Sequence, residues 1–195
     1  VRYKNKRGAK PRKVKEKNRL YDLLQSATQR QIDRISVLTG EYQKKSKSDP
    51  DRAKILLAEI AVLCSYIKRR KHLTLLTDRD YEVSVGELER AFSESLQTLK
   101  LLDVRSTLYI DPAVSMLSGR AAAVVFDFYE AVIETDLESL KSIQVSLADV
   151  GSLRLSLNVQ CEANLSALAY KFNAQYEAED GYQHIVFCPE GGAAK

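Results

Sequence analysis

The sequence predicts an α+β fold in which an N-terminal antiparallel helical hairpin, a four-helix bundle on dimerisation, precedes a small α/β sandwich. Three observations predict it. A heptad spacing begins at Leu20, a second apolar helix follows a short polar break, and helical and strand patterns alternate over the rest of the chain. With 195 residues, 45% of them hydrophobic, the chain can bury a core of this size. We place a basic arm at residues 1–18, the hairpin at 19–78 and the sandwich at 79–195.

The basic arm carries most of the positive charge. Residues 1–19 hold ten Lys or Arg and one acidic residue, Glu16, so their net charge is +9 and the rest of the chain carries −5. Dense like charge with little apolar surface does not offset the entropy of ordering, so we expect a flexible arm. A solvated linker and a cytoplasmic segment beside a membrane are two interpretations. A nucleic-acid-binding tail is a third, but no aromatic residue beyond Tyr3 is interleaved with the charges, so nucleic acid is not an expected partner.

The hairpin is predicted by side chains that recur at alternating spacings of three and four. These positions in the first helix are Tyr21, Leu24, Thr28, Gln31, Ile35, Leu38 and Tyr42. The run KKSKSDPDR then breaks the pattern, and Pro50 suits the first turn of a second helix over residues 51–76. Because this second helix is apolar on more than one face, we expect the hairpin to form a homodimer.

The expected dimer interface consists of apolar positions on both helices. They are Leu24, Ile35, Leu38, Leu56, Ile60, Leu63 and Ile67. The basic run at residues 68–72 lies near the end of the second helix, where cations interact favourably with the helix C-terminus.

The sandwich is predicted by a change of pattern after residue 79. The expected elements are a helix at 85–102, a strand at 104–110, a helix at 113–137, strands at 143–149 and 152–159, a helix at 164–175 and a strand at 184–188. The two central strands flank Val150-Gly151 and alternate apolar with polar residues, which is typical of a half-buried hairpin.

Cysteine usage and hydropathy bear on the compartment. Cys64, Cys161 and Cys188 are odd in number and form no C-x-x-C pair, which favours a reducing compartment. No stretch approaches the length of apolar sequence that spans a membrane. We therefore expect a cytoplasmic location, and because the chain opens with Val1 we expect a fragment or a processed product.

Three stretches carry a resemblance to the cytoplasmic core of sensor histidine kinases. GRAAAVVFDFYEAVIETDL resembles the family's Asn-box helix, IQVSLADVGSLRLSLNV its central strands, and DGYQHIVFCPEGG its final strand. The family joins a dimerising hairpin, which bears a phospho-accepting His, to an ATPase domain of the Bergerat type. The resemblance implies two-component signal transduction, a response regulator or another kinase as partner, and residues 1–19 next to an upstream membrane sensor.

Several residues that the family's chemistry requires are replaced here. No His lies between Leu20 and Lys47, and the polar gap from Thr28 to Gln31 stands where the phospho-acceptor would lie. Autophosphorylation at the usual place is therefore excluded. The adenine-recognition stretch LNVQCEANLSAL contains no glycine, and the lid stretch AYKFNAQYEAEDGY contains one, although glycine lets backbone N–H groups approach phosphates closely.

The Asn-box pair is replaced as well. Glu130 matches the family's Glu, but Glu134 stands where the magnesium-binding Asn belongs. A carboxylate can bind magnesium, so Glu130 and Glu134 form a candidate metal site, whereas without a metal two carboxylates at i and i+4 repel one another. The alternative is a solvated acidic helix face. With both glycine motifs lost, we expect no ATP or magnesium cofactor and a degenerate site.

The sequence thus favours a signalling module that lacks autokinase activity, a pseudokinase, and acts through dimerisation and partner contact. An active ATP-dependent kinase with substituted motifs, a structural or adaptor protein and a nucleic-acid binder remain alternatives. Magnesium-dependent ATP binding separates the first two, and the topology of residues 80–195 tests the third.

Overall fold

The computed structural model of the chain describes residues 9–77 and 82–189. The helices are α1 (Ala9–Ser26), α2 (Gln29–Lys45), α3 (Pro50–Thr77), α4 (Val85–Leu99), α5 (Gly119–Thr135) and α6 (Ser166–Lys171). The strands are β1 (Glu82–Ser84), β2 (Arg105–Ile110), β3 (Met116–Ser118), β4 (Ser142–Asp149), β5 (Leu153–Gln160), β6 (Gln175–Glu179) and β7 (Tyr182–Phe187). No helix in the described ranges combines the length and apolar character that a membrane span requires.

A mixed five-stranded sheet forms one layer of the sandwich. Its order is β2-β4-β5-β7-β6, with β2 parallel to β4 and the other neighbours antiparallel. The predicted β4–β5 hairpin is confirmed. The apolar positions on which the prediction depends are all buried: Ile143, Val145, Leu147, Leu153, Leu155, Leu157 and Val159. The α+β fold class is therefore confirmed.

The strands β1, β3 and β6 were not predicted. β1 and β3 are three residues each and pair only with one another, and β6 is an edge strand whose sequence, QYEAE, is too polar to show an apolar alternation. β6 turns into β7 through Asp180 and Gly181, both with positive φ (50° and 81°). Two such residues form the tight turn that suits a β-hairpin.

The helices cover one face of the sheet, with α5 at the centre. One continuous core joins the sheet to α4, α5 and α3, and it includes Val62, Tyr66 and Leu73 of α3. The second hairpin helix therefore packs against the sandwich over its C-terminal half, from Val62 onwards. The predicted domain boundary falls on residues 78–81, outside the described residues.

The first hairpin helix is interrupted, contrary to the prediction of one helix from Leu20. α1 ends at Ser26 and α2 begins at Gln29, and the Thr28 hydroxyl in the break donates a hydrogen bond to the Leu24 carbonyl at 3.1 Å. The predicted flexible arm is also corrected in part. The backbone is helical from Ala9, because Lys, Arg and Glu are good helix formers, and residues 1–8 lie outside the described residues.

A second, smaller core holds α2 against α3. Leu38, Leu56 and Leu63 are its buried members, with exposures of 1%, 0% and 3%. Because these three predicted interface residues are already buried within one chain, a second copy could contact almost none of their surface. The others, Leu24, Ile35, Ile60 and Ile67, are half-buried. The dimer itself stays a prediction.

Candidate functional site

Three carboxylates lie along one face of α5. Asp127, Glu130 and Glu134 are separated by three and four residues, a spacing that places them on the same side of a helix. This face is turned towards the hairpin, which supplies the polar partners described next. We call these three residues the acidic stripe.

At the C-terminal end of the stripe, Glu134 is held by the hairpin. Its Oε1 accepts a hydrogen bond from Gln31 Nε2 at 2.6 Å, and its Oε2 pairs with the Arg30 guanidinium. Both partners come from the first turn of α2, directly after the helix break. The hairpin segment that corresponds to the phospho-acceptor position of the family therefore contacts Glu134, which corresponds to the family's magnesium-binding Asn.

In the middle of the stripe, Glu130 is 1% exposed, and neither of its carboxyl oxygens has a hydrogen-bond partner among the described residues. Burial raises the pKa of Glu130 well above its ordinary value, and the neighbouring charges of Glu134 and Asp127 raise it further, against a lowering by Arg30. Glu130 is consequently a neutral carboxylic acid over part of the pH range in which exposed carboxylates are charged.

At the N-terminal end of the stripe, Asp127 meets α3. The Tyr66 hydroxyl donates to Asp127 Oδ1 at 2.9 Å, and Arg70 Nε lies 2.5 Å from the same oxygen as an ion pair. Burial raises the pKa of Asp127, although Arg70 and Tyr66 act in the opposite direction.

The basic run at residues 68–72 lies within α3, not at its end, and it makes ion pairs with the sandwich. Lys68 and Arg69 both pair with Glu94 of α4, and His72 Nε2 lies 3.3 Å from Glu87. The expected interaction with a helix C-terminus is therefore replaced by contacts that fix α3 on α4.

Two side chains hold the loop after β5 in place through hydrogen bonds. Asp136 Oδ2 accepts hydrogen bonds from the backbone N–H groups of Glu162 (3.1 Å) and Ala163 (2.7 Å). Gln183 accepts from the N–H of Leu165 and donates to the carbonyl of Ala163, both at 2.8 Å. Partial burial acts to raise the pKa of Asp136, but the hydrogen bonds that it accepts outweigh burial and lower it. These hydrogen bonds hold the loop against the C-terminal end of α5.

These contacts bear on whether the residues fit a magnesium nucleotide. Glu134 is engaged by Arg30 and Gln31, and the N–H groups of Glu162 and Ala163 point at Asp136. Within residues 9–77 and 82–189, no group of three or more His, Cys, Asp or Glu side chains could hold a metal ion. In this arrangement the residues do not fit a magnesium nucleotide, and metal binding by Glu130 and Glu134 stays a prediction.

A cavity of about 460 Å³ opens beside Glu134, between the hairpin and the end of α5. Glu59 lines it and is 3% exposed, with Arg52 at 3.7 Å and Arg34 at 3.8 Å. Burial raises the pKa of Glu59, as does the charge of Glu138, and the two arginines lower it. The cavity walls thus carry both signs of charge, with two arginines and four carboxylates among the lining side chains.

No protein-family model and no curated protein matches the chain. Among solved structures, a bacterial phosphotransferase is similar with 9% identity and a TM-score of 0.46, over 86% of this chain and 92% of that one. The histidine kinase domain of a blue-light-activated kinase from Erythrobacter litoralis has 13% identity and a TM-score of 0.43, over 79% and 93%. The histidine kinase AdeS of Acinetobacter baumannii has 15% identity and a TM-score of 0.36, over 78% and 92%.

Proposed function

We propose that this chain is a cytoplasmic signal-transduction module of the sensor-histidine-kinase type that does not phosphorylate itself and acts through dimerisation and partner contact. The observation that carries the proposal is the engagement of Glu134 by Arg30 and Gln31. The family that the sequence resembles has a phospho-accepting His on the hairpin and an Asn that holds magnesium. Here the hairpin supplies an arginine and an amide instead.

The phosphoryl-accepting side of the reaction lacks its nucleophile. The four residues from Thr28 to Gln31 offer a hydroxyl, two amides and a guanidinium, and none of these forms the phosphorylated imidazole on which the family's chemistry depends. The Thr28 hydroxyl is moreover buried and bonded to Leu24. Autophosphorylation at the usual place therefore has no acceptor.

On the nucleotide side, the stretch that corresponds to the family's adenine-recognition motif already has backbone N–H groups engaged within the chain. In the loop after β5, two N–H groups are satisfied by Asp136 and a third by Gln183. A nucleotide would have to break these hydrogen bonds and the Arg30–Glu134 pair before it gained any of its own.

Dimerisation is proposed to use apolar side chains of the hairpin that stay exposed. Ile32 and Val37 on α2, and Ile55 and Leu57 on α3, are exposed by 38%, 54%, 37% and 47%. Apolar side chains exposed on two adjacent helices are what a four-helix bundle buries. A change of register in α1 would reach this surface through the break at Thr28, and a response regulator or an intact kinase is the proposed recipient.

Calorimetry of the chain with ATP, with and without magnesium, tests the loss of kinase function. We expect no heat of binding up to millimolar ATP. Micromolar, magnesium-dependent binding would contradict the proposal and favour an active kinase in which Glu130 and Glu134 bind the metal. Light scattering tests the dimer independently, with Leu57→Asp as the disrupting variant and the exposed Glu177→Gln as its control. A monomeric parent chain at micromolar concentration would leave an adaptor role without self-association.

A further inference from the structure

A second cavity lies at the other end of α5, away from the acidic stripe's Glu134. It has a volume of about 540 Å³ and lies between the end of α1, the middle of α3 and the first turns of α5. Protein cavities that hold small molecules have volumes of about 300–1,000 Å³. The volume therefore suits a small organic ligand.

One side of this cavity is apolar except for the Ser26 hydroxyl, which donates a hydrogen bond to the Leu23 carbonyl at 3.1 Å. Leu23 and Ala27 line it from α1 and the turn that follows, and Ala123 lines it from α5. These side chains offer no hydrogen bond, so the part of a ligand that meets them must be apolar as well.

The other side carries two arginines and a hydroxyl. Arg70 Nη1 donates to Thr74 Oγ1 at 2.6 Å, and the Arg70 charge is balanced by Asp127. Arg120 also lines the cavity, and within residues 9–77 and 82–189 its guanidinium makes no ion pair or hydrogen bond. After the Arg70–Asp127 pair is counted, the wall of the cavity keeps one uncompensated positive charge.

We infer that this cavity binds a small amphiphile that has one anionic head group, a carboxylate or a phosphate, and a short apolar tail. Arg120 pairs with the head group, since guanidinium presents a fork of donors that matches both anions. Leu23, Ala27 and Ala123 cover the tail. The bound molecule would bridge α1 and α5 beside the α1–α2 break, and would thereby restrict movement of that break.

Calorimetry of the full chain with octanoate, octyl phosphate, octyltrimethylammonium and inorganic phosphate tests the inference. We expect the two anionic octyl compounds to bind, and the cation and the free phosphate to bind at least about tenfold more weakly, since one lacks the charge and the other the tail. Whichever of octanoate and octyl phosphate binds with the higher affinity identifies the preferred head group. Equal binding of the cation would overturn the inference, and so would the absence of any octyl binding in the millimolar range.

Two variants localise the binding. Arg120→Gln removes the unpaired cation from an exposed position and should weaken octanoate binding by about tenfold. Its matched control is Arg154→Gln, which removes an exposed arginine of β5 and should leave affinity unchanged. Ala27→Phe should block the cavity without a change of charge. If Arg120→Gln and Ala27→Phe, both with the parent's circular dichroism, bind octanoate as the parent does, the cavity is not the binding site.

Discussion

Replacing Glu130 with Gln should change how the stability of the chain depends on pH. Glu130 is fully buried, and its folded-state pKa lies well above the ordinary value of 4.5 because of burial and of the charges of Glu134 and Asp127. Above pH 4.5 the unfolded chain releases this proton while the folded chain retains it. The contribution of Glu130 to the free energy of unfolding is therefore fully present below pH 4.5 and is lost as the pH rises through the folded-state pKa of Glu130.

The size of the effect follows from the transfer of one proton. Where the unfolded state is deprotonated and the folded state is protonated, one group changes the free energy of unfolding by about 1.4 kcal/mol per pH unit. Gln has the shape of a protonated Glu and does not titrate. The buried amide costs a constant of about 1–3 kcal/mol if its N–H groups find no partner, but this offset does not depend on pH.

Urea unfolding, followed by circular dichroism at several pH values between about 5 and 8, measures how the free energy of unfolding depends on pH in the parent chain and in Glu130→Gln. Asp127 and Glu59 also have raised pKa values and contribute to the slope of the parent chain, so the difference between parent and variant isolates Glu130. The exposed Glu177→Gln is the matched control and should run parallel to the parent. Parallel curves for Glu130→Gln as well would refute the assignment of Glu130 as a buried neutral acid.

Three further changes test other contacts. Arg30→Ala should lower the free energy of unfolding, measured with urea, by about 1 kcal/mol, since Arg30 is largely exposed and its ion pair is screened by solvent. Glu134→Gln should lower the free energy of unfolding less in the Arg30→Ala chain than in the parent chain, because the pair is already lost there. Asp136→Asn should leave the N–H groups of Glu162 and Ala163 with a weaker acceptor, so their amide hydrogens should exchange faster, whereas those of β5 should not change. Leu56→Ala should lower the free energy of unfolding by about 2–5 kcal/mol, against less than about 1 kcal/mol for the exposed Leu101→Ala.

The regular part of this fold was predictable because it follows from local periodicity. The strands β4 and β5 alternate strictly, and one face of each is buried, so the pattern and the turn at Gly151 specify both pairing and register. β6 was not predicted because an exposed edge strand has no buried face, so its sequence shows no alternation of apolar and polar residues. The helix break after Ser26 escaped it because the heptad spacing continues across the break without interruption.

The contacts of the candidate site were not predictable from periodicity, since they join residues far apart in the chain. Arg30 and Gln31 precede Glu134 by more than a hundred residues. One signal was present nevertheless. A heptad seam that turns polar at Thr28 and Gln31 implies polar partners on the facing surface, because buried polar groups are generally hydrogen-bonded. The acidic run from Asp127 to Glu134 was the complementary surface.

The acidic stripe explains why the hairpin carries its cations where it does. Three carboxylates on one buried helix face would repel one another strongly in a medium of low dielectric constant. A bound divalent cation is one solution to this repulsion. This chain uses its own side chains instead. Arg70 pairs with Asp127 at one end and Arg30 with Glu134 at the other, and burial raises the pKa of Glu130 between them, which favours its neutral form. The two outer carboxylates of the stripe are therefore paired without a metal, and a metal that bound Glu134 would compete with Arg30. Calcium or magnesium should accordingly bind more tightly to Arg30→Ala than to the parent chain, and equal affinities would show that Arg30 does not occupy the cation position.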